Sequence, residues 1–317
     1  MTTWQLPEGI DELSGTDAAQ FESLRRQLID LYTQKGYELV IPPMVENTDS
    51  LLLTSDEVDK KTFKFLDPVS GKMLGVHADI TPQIARIDAK RNSDSIEKYC
   101  YVNAILQTKA DDFYSSRSPI QAGAELYGSN NVSSDVEVIN LMLQSLDVLG
   151  ASSVVLSLGN VSIFNQLLEQ ESLSQDQLSK IRQIFQKRST PDLSVFLDKN
   201  PMKNPDLFSQ LMHLEGDSSI LSKALDTFKD FSEIINAIED LAKIADALDT
   251  PNIVIDLAEL KTYQYHTGVV FSAYSSGYSK ALAQGGRYNG LGASFGQSRA
   301  ATGFSFDLKF LSQTINN

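Results

Sequence analysis

YVNAILQTKADDFYSSRSPIQAGAELYG, residues 101–128, reads as two strands held apart by a long loop. Residues 101–106 are apolar enough for a strand buried on at least one face. In 119–127, Ile120, Ala122, Ala124 and Leu126 alternate with Gln121, Gly123 and Glu125, the period-2 pattern of a second strand with its polar side chains on one face. The intervening segment, 107–118, is too long for a tight hairpin turn. Gln121 and Glu125 lie four positions apart, so a strand places both on the same face. A chain that keeps an amide and a carboxylate there, beside a long loop, invites a functional explanation.

Outward from that pair, the sequence alternates helical and extended patterns. Phe21, Leu24, Leu28, Ile29 and Tyr32 carry the spacing of a helix capped by Thr16 or Asp17 and ended by Gly36. YELVIPPMVE follows as a strand stopped by Pro42 and Pro43. Residues 62–80 suggest a β-hairpin turned at DPVSGK, and TPQIARIDAKR starts a helix with Thr81 as cap and Pro82 at its first position. SSDVEVINLMLQSLDVLGA is an amphipathic helix and SSVVLSLGN a β-branched strand. From about 161 to 247 the pattern is helical throughout, and strands return at NIVIDLAEL, GVVFSAYSS and SKALAQGG. The expected architecture is α+β: an antiparallel sheet flanked by helices, formed by 1–160 and 248–317, with a helical insertion at 161–247.

Composition narrows the function classes. The 317 residues are 42% hydrophobic, 9% aromatic and 21% charged, a globular profile with room for a full core. The single cysteine, Cys100, lies in the apolar run KYCYVNAIL and reads as a small buried hydrophobe, with no intramolecular disulfide available. His77, His213 and His266 are scattered and no HExxH spacing occurs, so no metal site is expected, and no cofactor. The N-terminal MTTWQLPEGIDELSG lacks the features of a secretory leader, and no apolar run approaches the roughly 18 residues of a membrane span. A cytoplasmic protein is expected. Against 27 Lys and Arg stand 41 Asp and Glu, a net charge of −14 that repels phosphate backbones; no basic face interrupts it, so nucleic-acid binding is disfavoured.

Three further segments offer candidate ligand contacts, each with a plain structural reading beside it. AQGGRYNGLGASFG, 283–296, fits neither the dinucleotide nor the P-loop pattern. Gly285 and Gly286 allow a backbone to approach a ligand, with Arg287 adjacent, but a tight turn between strands explains them as well. YQYHTGVVF, 263–271, sets Tyr263, Tyr265 and Gly268 before a buried strand, as packing or as a pocket wall. HADITPQ, 77–83, puts Asp79 and Thr81 at a strand-to-helix junction, for capping or for ligand contact. No GxSxG and no paired nucleophile and base support a covalent mechanism.

Taken in order, these motifs resemble a class II aminoacyl-tRNA synthetase core, specifically histidyl-tRNA synthetase, over nearly the whole chain. GYELVIPPMVE resembles motif 1, which forms the dimer interface in that class; AILQTKADDFYSSRSPIQAGAELYG resembles motif 2; AATGFSFDLKFL resembles motif 3. The resemblance implies a histidine pocket of Asp79, Thr81, Gln121, Glu125, Tyr265 and His266, with Gln107, Lys261, Tyr263, Gly285 and Arg287 at its rim.

The departures from that pattern carry the functional expectation. Gln107 stands where motif 2 has its ATP-binding arginine. Asp307, Leu308, Lys309 and Phe310 replace the end of motif 3, with phenylalanine at the second arginine, and Lys261 falls near the histidine-specific arginine. Glutamine carries no charge to stabilise an adenylate transition state, and phenylalanine cannot donate to a phosphate. With the chain ending at Asn317, no anticodon-binding domain is expected. The set resembles the regulatory subunits of ATP phosphoribosyltransferase. That resemblance implies a non-catalytic partner of the short-form catalytic subunit at the first step of histidine biosynthesis, a homodimer within a hetero-oligomer, free histidine as a feedback ligand, and no tRNA. The alternative is a histidyl-tRNA synthetase-like enzyme or paralogue that adenylates histidine.

Overall fold

The computed structural model describes residues 4–51, 56–110, 115–248, 250, 252–260 and 265–315. In chain order the elements are α1 (Gly15–Gln34), β1 (Glu38–Leu39), β2 (Val45–Asn47), α2 (Thr48–Leu51), α3 (Asp56–Lys61), β3 (Phe63–Leu66), β4 (Met73–Val76), α4 (Thr81–Arg91), β5 (Glu97–Ala104), β6 (Ile120–Tyr127) and α5 (Val132–Val148). There follow β7 (Val155–Asn160), α6 (Val161–Glu169), α7 (Gln175–Gln186), α8 (Thr190–Lys199), α9 (Pro205–Leu211), β8 (Glu215–Gly216), α10 (Ile220–Thr227) and α11 (Ser232–Ala247). The last elements are β9 (Ile253–Asp256), β10 (Val269–Tyr274), β11 (Ala283–Arg287), a 3-10 turn at Leu291–Phe295, β12 (Ala301–Asp307) and α12 (Leu308–Thr314).

The chain forms two compact units: Met1–Asn130, Val138–Ser152 and Asn289–Asn317 in the first, Asn131–Glu137 and Ser153–Tyr288 in the second. These divisions differ from the boundaries read in the sequence, because the strands β7, β9, β10 and β11 group with the helices of 161–247.

In the first unit, β1 pairs in parallel with β5, and β5, β6 and β12 form an antiparallel run. Residues opposite one another in such a ladder share a face. Cys100, Val102, Ala122, Ala124, Phe304 and Phe306 therefore line one side, where they are buried, and Tyr32 of α1 meets the Phe304 ring edge-on at 6.3 Å. The other side carries Tyr101, Gln121, Gly123, Glu125 and Gly303. A separate three-stranded sheet, β2-β4-β3, contains the expected hairpin, whose turn is fastened by the Asp67 carboxylate accepting from the amides of Val69 and Ser70. In the second unit, β11, β10 and β7 are antiparallel, β9 joins β7 in parallel and β8 joins β9. Phe164, Phe185 and Phe208 of α6, α7 and α9 cluster beside them. Among the described residues no helix is long and apolar enough to cross a membrane.

Four local expectations are corrected. The strand expected from Tyr37 up to Pro42 and Pro43 is only the two residues of β1, and a separate short strand, β2, follows the prolines, which offer no ladder donors. The N-cap of α1 is Ser14, not Thr16 or Asp17. Thr81 is the first residue of α4 and Ile80 its cap, so the Thr81 hydroxyl is left for another partner. Gly285 and Gly286 lie inside β11, opposite Phe271 and Val270, and not in a turn.

Candidate functional site

The polar face of the first unit holds a connected cluster. The long loop of the quoted stretch is closed by continued pairing: the Ile105 amide donates to the Pro119 carbonyl at 3.1 Å and Gln107 to Arg117 at 2.8 Å, which fixes the register of β5 and β6. That register sets Tyr101 opposite Gly123 and Tyr99 opposite Glu125, while β12 sets Gly303 against Glu125 from the other side. Both glycines create room. A Cβ on Gly123 would lie 2.6 Å from the Tyr101 hydroxyl, and one on Gly303 would lie 1.5 Å from Glu125 Oε2.

Into that space Glu125 projects Oε1, which accepts from the Tyr101 hydroxyl at 3.1 Å and from the Thr81 hydroxyl at 3.0 Å. Asp79 Oδ1 accepts from Gln121 Nε2 at 2.9 Å and from the Thr81 amide at 3.2 Å. Gln121 Oε1 in turn accepts from the Ile80 amide at 2.9 Å, which fixes its amide orientation. Asp79, Thr81, Gln121 and Glu125 are all buried. Burial and the neighbouring Glu125 and Asp79 carboxylates push the Tyr101 phenol well above its usual range, so it remains a donor. Placing two carboxylates under cover is costly unless their lone pairs are met. A cluster of this kind suits a ligand bringing an ammonium or an imidazole N–H.

At the other end of this strand set, Gln107 and Lys309 are engaged by the protein itself. Gln107 is buried and donates to the Ala78 carbonyl at 3.2 Å. Lys309, also buried, pairs with Asp11 Oδ1 at 2.8 Å and donates to the Ser118 hydroxyl at 3.1 Å and to its carbonyl. Asp307 caps α12 by accepting from the amides of Lys309 and Phe310, and it also accepts from Ile120. The N-terminal segment completes this arrangement: the Gly9 carbonyl accepts from the Arg117 amide at 2.7 Å and the Glu8 carbonyl from its guanidinium at 2.9 Å.

In the second unit, Tyr265, His266 and Tyr288 form an aromatic group, with Tyr265 at 5.2 Å from His266 and 5.8 Å, edge-on, from Tyr288. Gly286 is required beside it, since a Cβ there would come within 2.7 Å of the His266 ring and 2.6 Å of the Val269 carbonyl. Arg287 is buried and gives both Nε and Nη2 to Asp135 Oδ2, at 3.2 and 2.8 Å. Lys261 and Tyr263 lie outside the described residues.

The structure thus brings Asp79, Thr81, Gln121 and Glu125 together, and Tyr265 with His266. Sequence reading missed Tyr101, the donor to Glu125, and the two glycines that seat the pair. Their signal was present in outline: pairing YVNAIL against QAGAELYG sets a large phenol opposite a glycine. It also missed Asp11 and Ser118 as the partners of Lys309, which no short-range pattern connects.

The sequence matches the histidyl-tRNA synthetase family over residues 9–311. A protein of Thioalkalivibrio sulfidiphilus named ATP phosphoribosyltransferase regulatory subunit is 42% identical over 97% of this chain and 80% of its own. One of the same name from Thiobacillus denitrificans is 40% identical over 98% of each. The chain belongs to the family of ATP phosphoribosyltransferase regulatory subunits. Its fold is that of the histidyl-tRNA synthetases. A Bacillus halodurans structure described as ATP phosphoribosyltransferase regulatory subunit/histidyl-tRNA synthetase superposes with a TM-score of 0.89 at 22% identity, covering 100% of this chain and 84% of that one. A histidyl-tRNA synthetase of Nostoc superposes at 0.82 and 17% identity, over 100% and 76%.

Proposed function

We propose that this chain is the non-catalytic regulatory subunit of an ATP phosphoribosyltransferase: it activates a short-form catalytic subunit and carries the histidine that inhibits the complex. The observation that supports this reading is the contrast within the first unit. Asp79, Thr81, Gln121 and Glu125 form a buried, ligand-suited cluster, whereas Gln107 and Lys309 are engaged by the protein itself. Histidine binds at the first set, its ammonium met by carboxylates; the family resemblance, not a contact, assigns Tyr265 and His266 to the same ligand. On this reading the protein is cytoplasmic and needs no tRNA, and 161–247 is an insertion in a synthetase-like core of 1–160 and 248–317.

A pocket that feeds no reaction acts on a partner only by favouring one state of the chain over another, with coupling of roughly 1–3 kcal/mol. The test is kinetic. Turnover of a short-form catalytic subunit should rise when this chain is added and fall when histidine follows, and Glu125→Ala should remove the histidine effect. Equal inhibition with the variant would place feedback elsewhere.

The chain also acts as a homodimer through the segment at 37–45. Ile41 is 71% exposed and Met44 50% exposed, an apolar stretch that a second copy would cover. Sedimentation should give a dimer at micromolar concentration; a monomer there would exclude this arrangement.

A further inference from the structure

Helix α7 ends in an arrangement that ordinarily calls for glycine. The Arg188 amide donates to the Phe185 carbonyl at 3.0 Å and the Ser189 amide to Ile184 at 3.2 Å, the two bonds of a Schellman motif. The residue in the left-handed position is Arg188, with φ of 53°. An arginine there is strained where glycine would not be, and such an outlier points to a use for the side chain. Its guanidinium pairs with Asp256 Oδ2.

Asp256 closes β9 and is buried. Its other oxygen accepts from the Ala258 amide at 3.1 Å, and its carbonyl from Glu259 at 3.3 Å, so the carboxylate holds the turn that follows. The same turn is gripped from the helical stretch at two more points. Glu215 and Gly216 of β8 pair with Asp256 and Ile255, and the Leu257 amide donates to the Leu214 carbonyl at 3.1 Å. Gly159 lets the turn lie against β7, since a Cβ there would come within 2.4 Å of the Asp256 carbonyl. Beyond the turn the chain leads to Tyr265 and His266, and it is fastened again where the Thr267 amide donates to the Arg287 carbonyl at 2.8 Å.

We infer that Arg188 is a positioning residue for the ligand segment: through Asp256 it ties the end of α7 to the root of the stretch bearing Tyr265 and His266, so that the helical region sets and senses the posture of that stretch. The inference rests on the reading of Tyr265 and His266 as histidine contacts, and it makes the helices of 161–247 part of the regulatory response.

Arg188→Gly separates the alternatives, because glycine restores the residue the helix end favours while deleting the ion pair. The variant should fold and melt below the wild type, the relieved backbone strain offsetting only part of the lost ion pair. Amide exchange at Leu257, Ala258 and Glu259 should quicken about tenfold, and calorimetry should show histidine bound several-fold more weakly. Asp256→Asn should reproduce both changes, and Arg188→Lys should recover part of them. Unchanged exchange at 257–259 in Arg188→Gly overturns the inference, whatever the ligand does. Faster exchange with unaltered histidine affinity also overturns it, since the turn would then move without the site. Faster exchange in a protein whose wild type binds no histidine keeps the clamp and refutes the ligand reading instead.

Discussion

The two ends of one strand set in the first unit have been put to different uses. Around Glu125 the chain makes space: Gly123 and Gly303 withhold side chains so that a carboxylate, a phenol and a threonine hydroxyl can meet. Around Lys309 it fills space: a buried ammonium reaches back to Asp11 and Ser118, and Gln107 closes on a backbone carbonyl. The first end resembles a binding site and the second resembles packing. The difference is one of construction: glycines open space at one end of the strands, and a buried ion pair closes it at the other.

The largest expected effect is at Gly303. Gly303→Ala drives a methyl group to within 1.5 Å of Glu125 Oε2 and 2.8 Å of the Ala124 carbonyl on the paired strand β6. Urea unfolding should show a loss of about 3 kcal/mol, the upper range for overpacking, together with loss of histidine binding. A variant as stable as wild type would mean that the glycine does not seat Glu125.

A smaller effect, and one of different character, is expected at the filled end. Lys309→Met keeps the volume and removes the pairing, and should cost about 1–2 kcal/mol while leaving histidine affinity intact. Its pH dependence identifies the cause. Burial raises the Asp11 carboxyl, but hydrogen bonds from Lys309, Ser116 and Ser118 outweigh that and hold it below the usual carboxylate range. A carboxyl depressed in the folded state adds stability that is present above its unfolded pKa, near 4, and is lost as pH falls through the folded value. Between about pH 5 and pH 3 the wild type should therefore lose stability more steeply than Lys309→Met. Parallel curves would remove the pair from the account.

Much of the fold was legible because it rests on period and punctuation. The strand at QAGAELYG and the helix at TPQIARIDAKR appear where their patterns place them, and the stretch after Val161 is helical except where β8 interrupts it to pair with β9. The candidate cluster was half legible. Gln121 and Glu125 share a face by strand geometry alone, but the donors that complete the site come from Tyr101, 24 positions from Glu125, and Thr81, 44 positions away. For Thr81 the sequence left capping and ligand contact open; the helix begins at Thr81 with Ile80 as its cap, and the Thr81 hydroxyl donates to Glu125. The glycines of AQGGR were read as a turn because close approach to His266 and the Val269 carbonyl is a tertiary demand that composition does not express.

Binding at the two ends of the strand set is the most direct test of the contrast. Isothermal titration of the isolated chain with histidine should give a saturable heat that Glu125→Ala weakens by on the order of 1–3 kcal/mol, and titration of the histidine-loaded chain with ATP should give none. Histidine binding untouched by Glu125→Ala, or ATP binding to the histidine-loaded chain, would contradict the account.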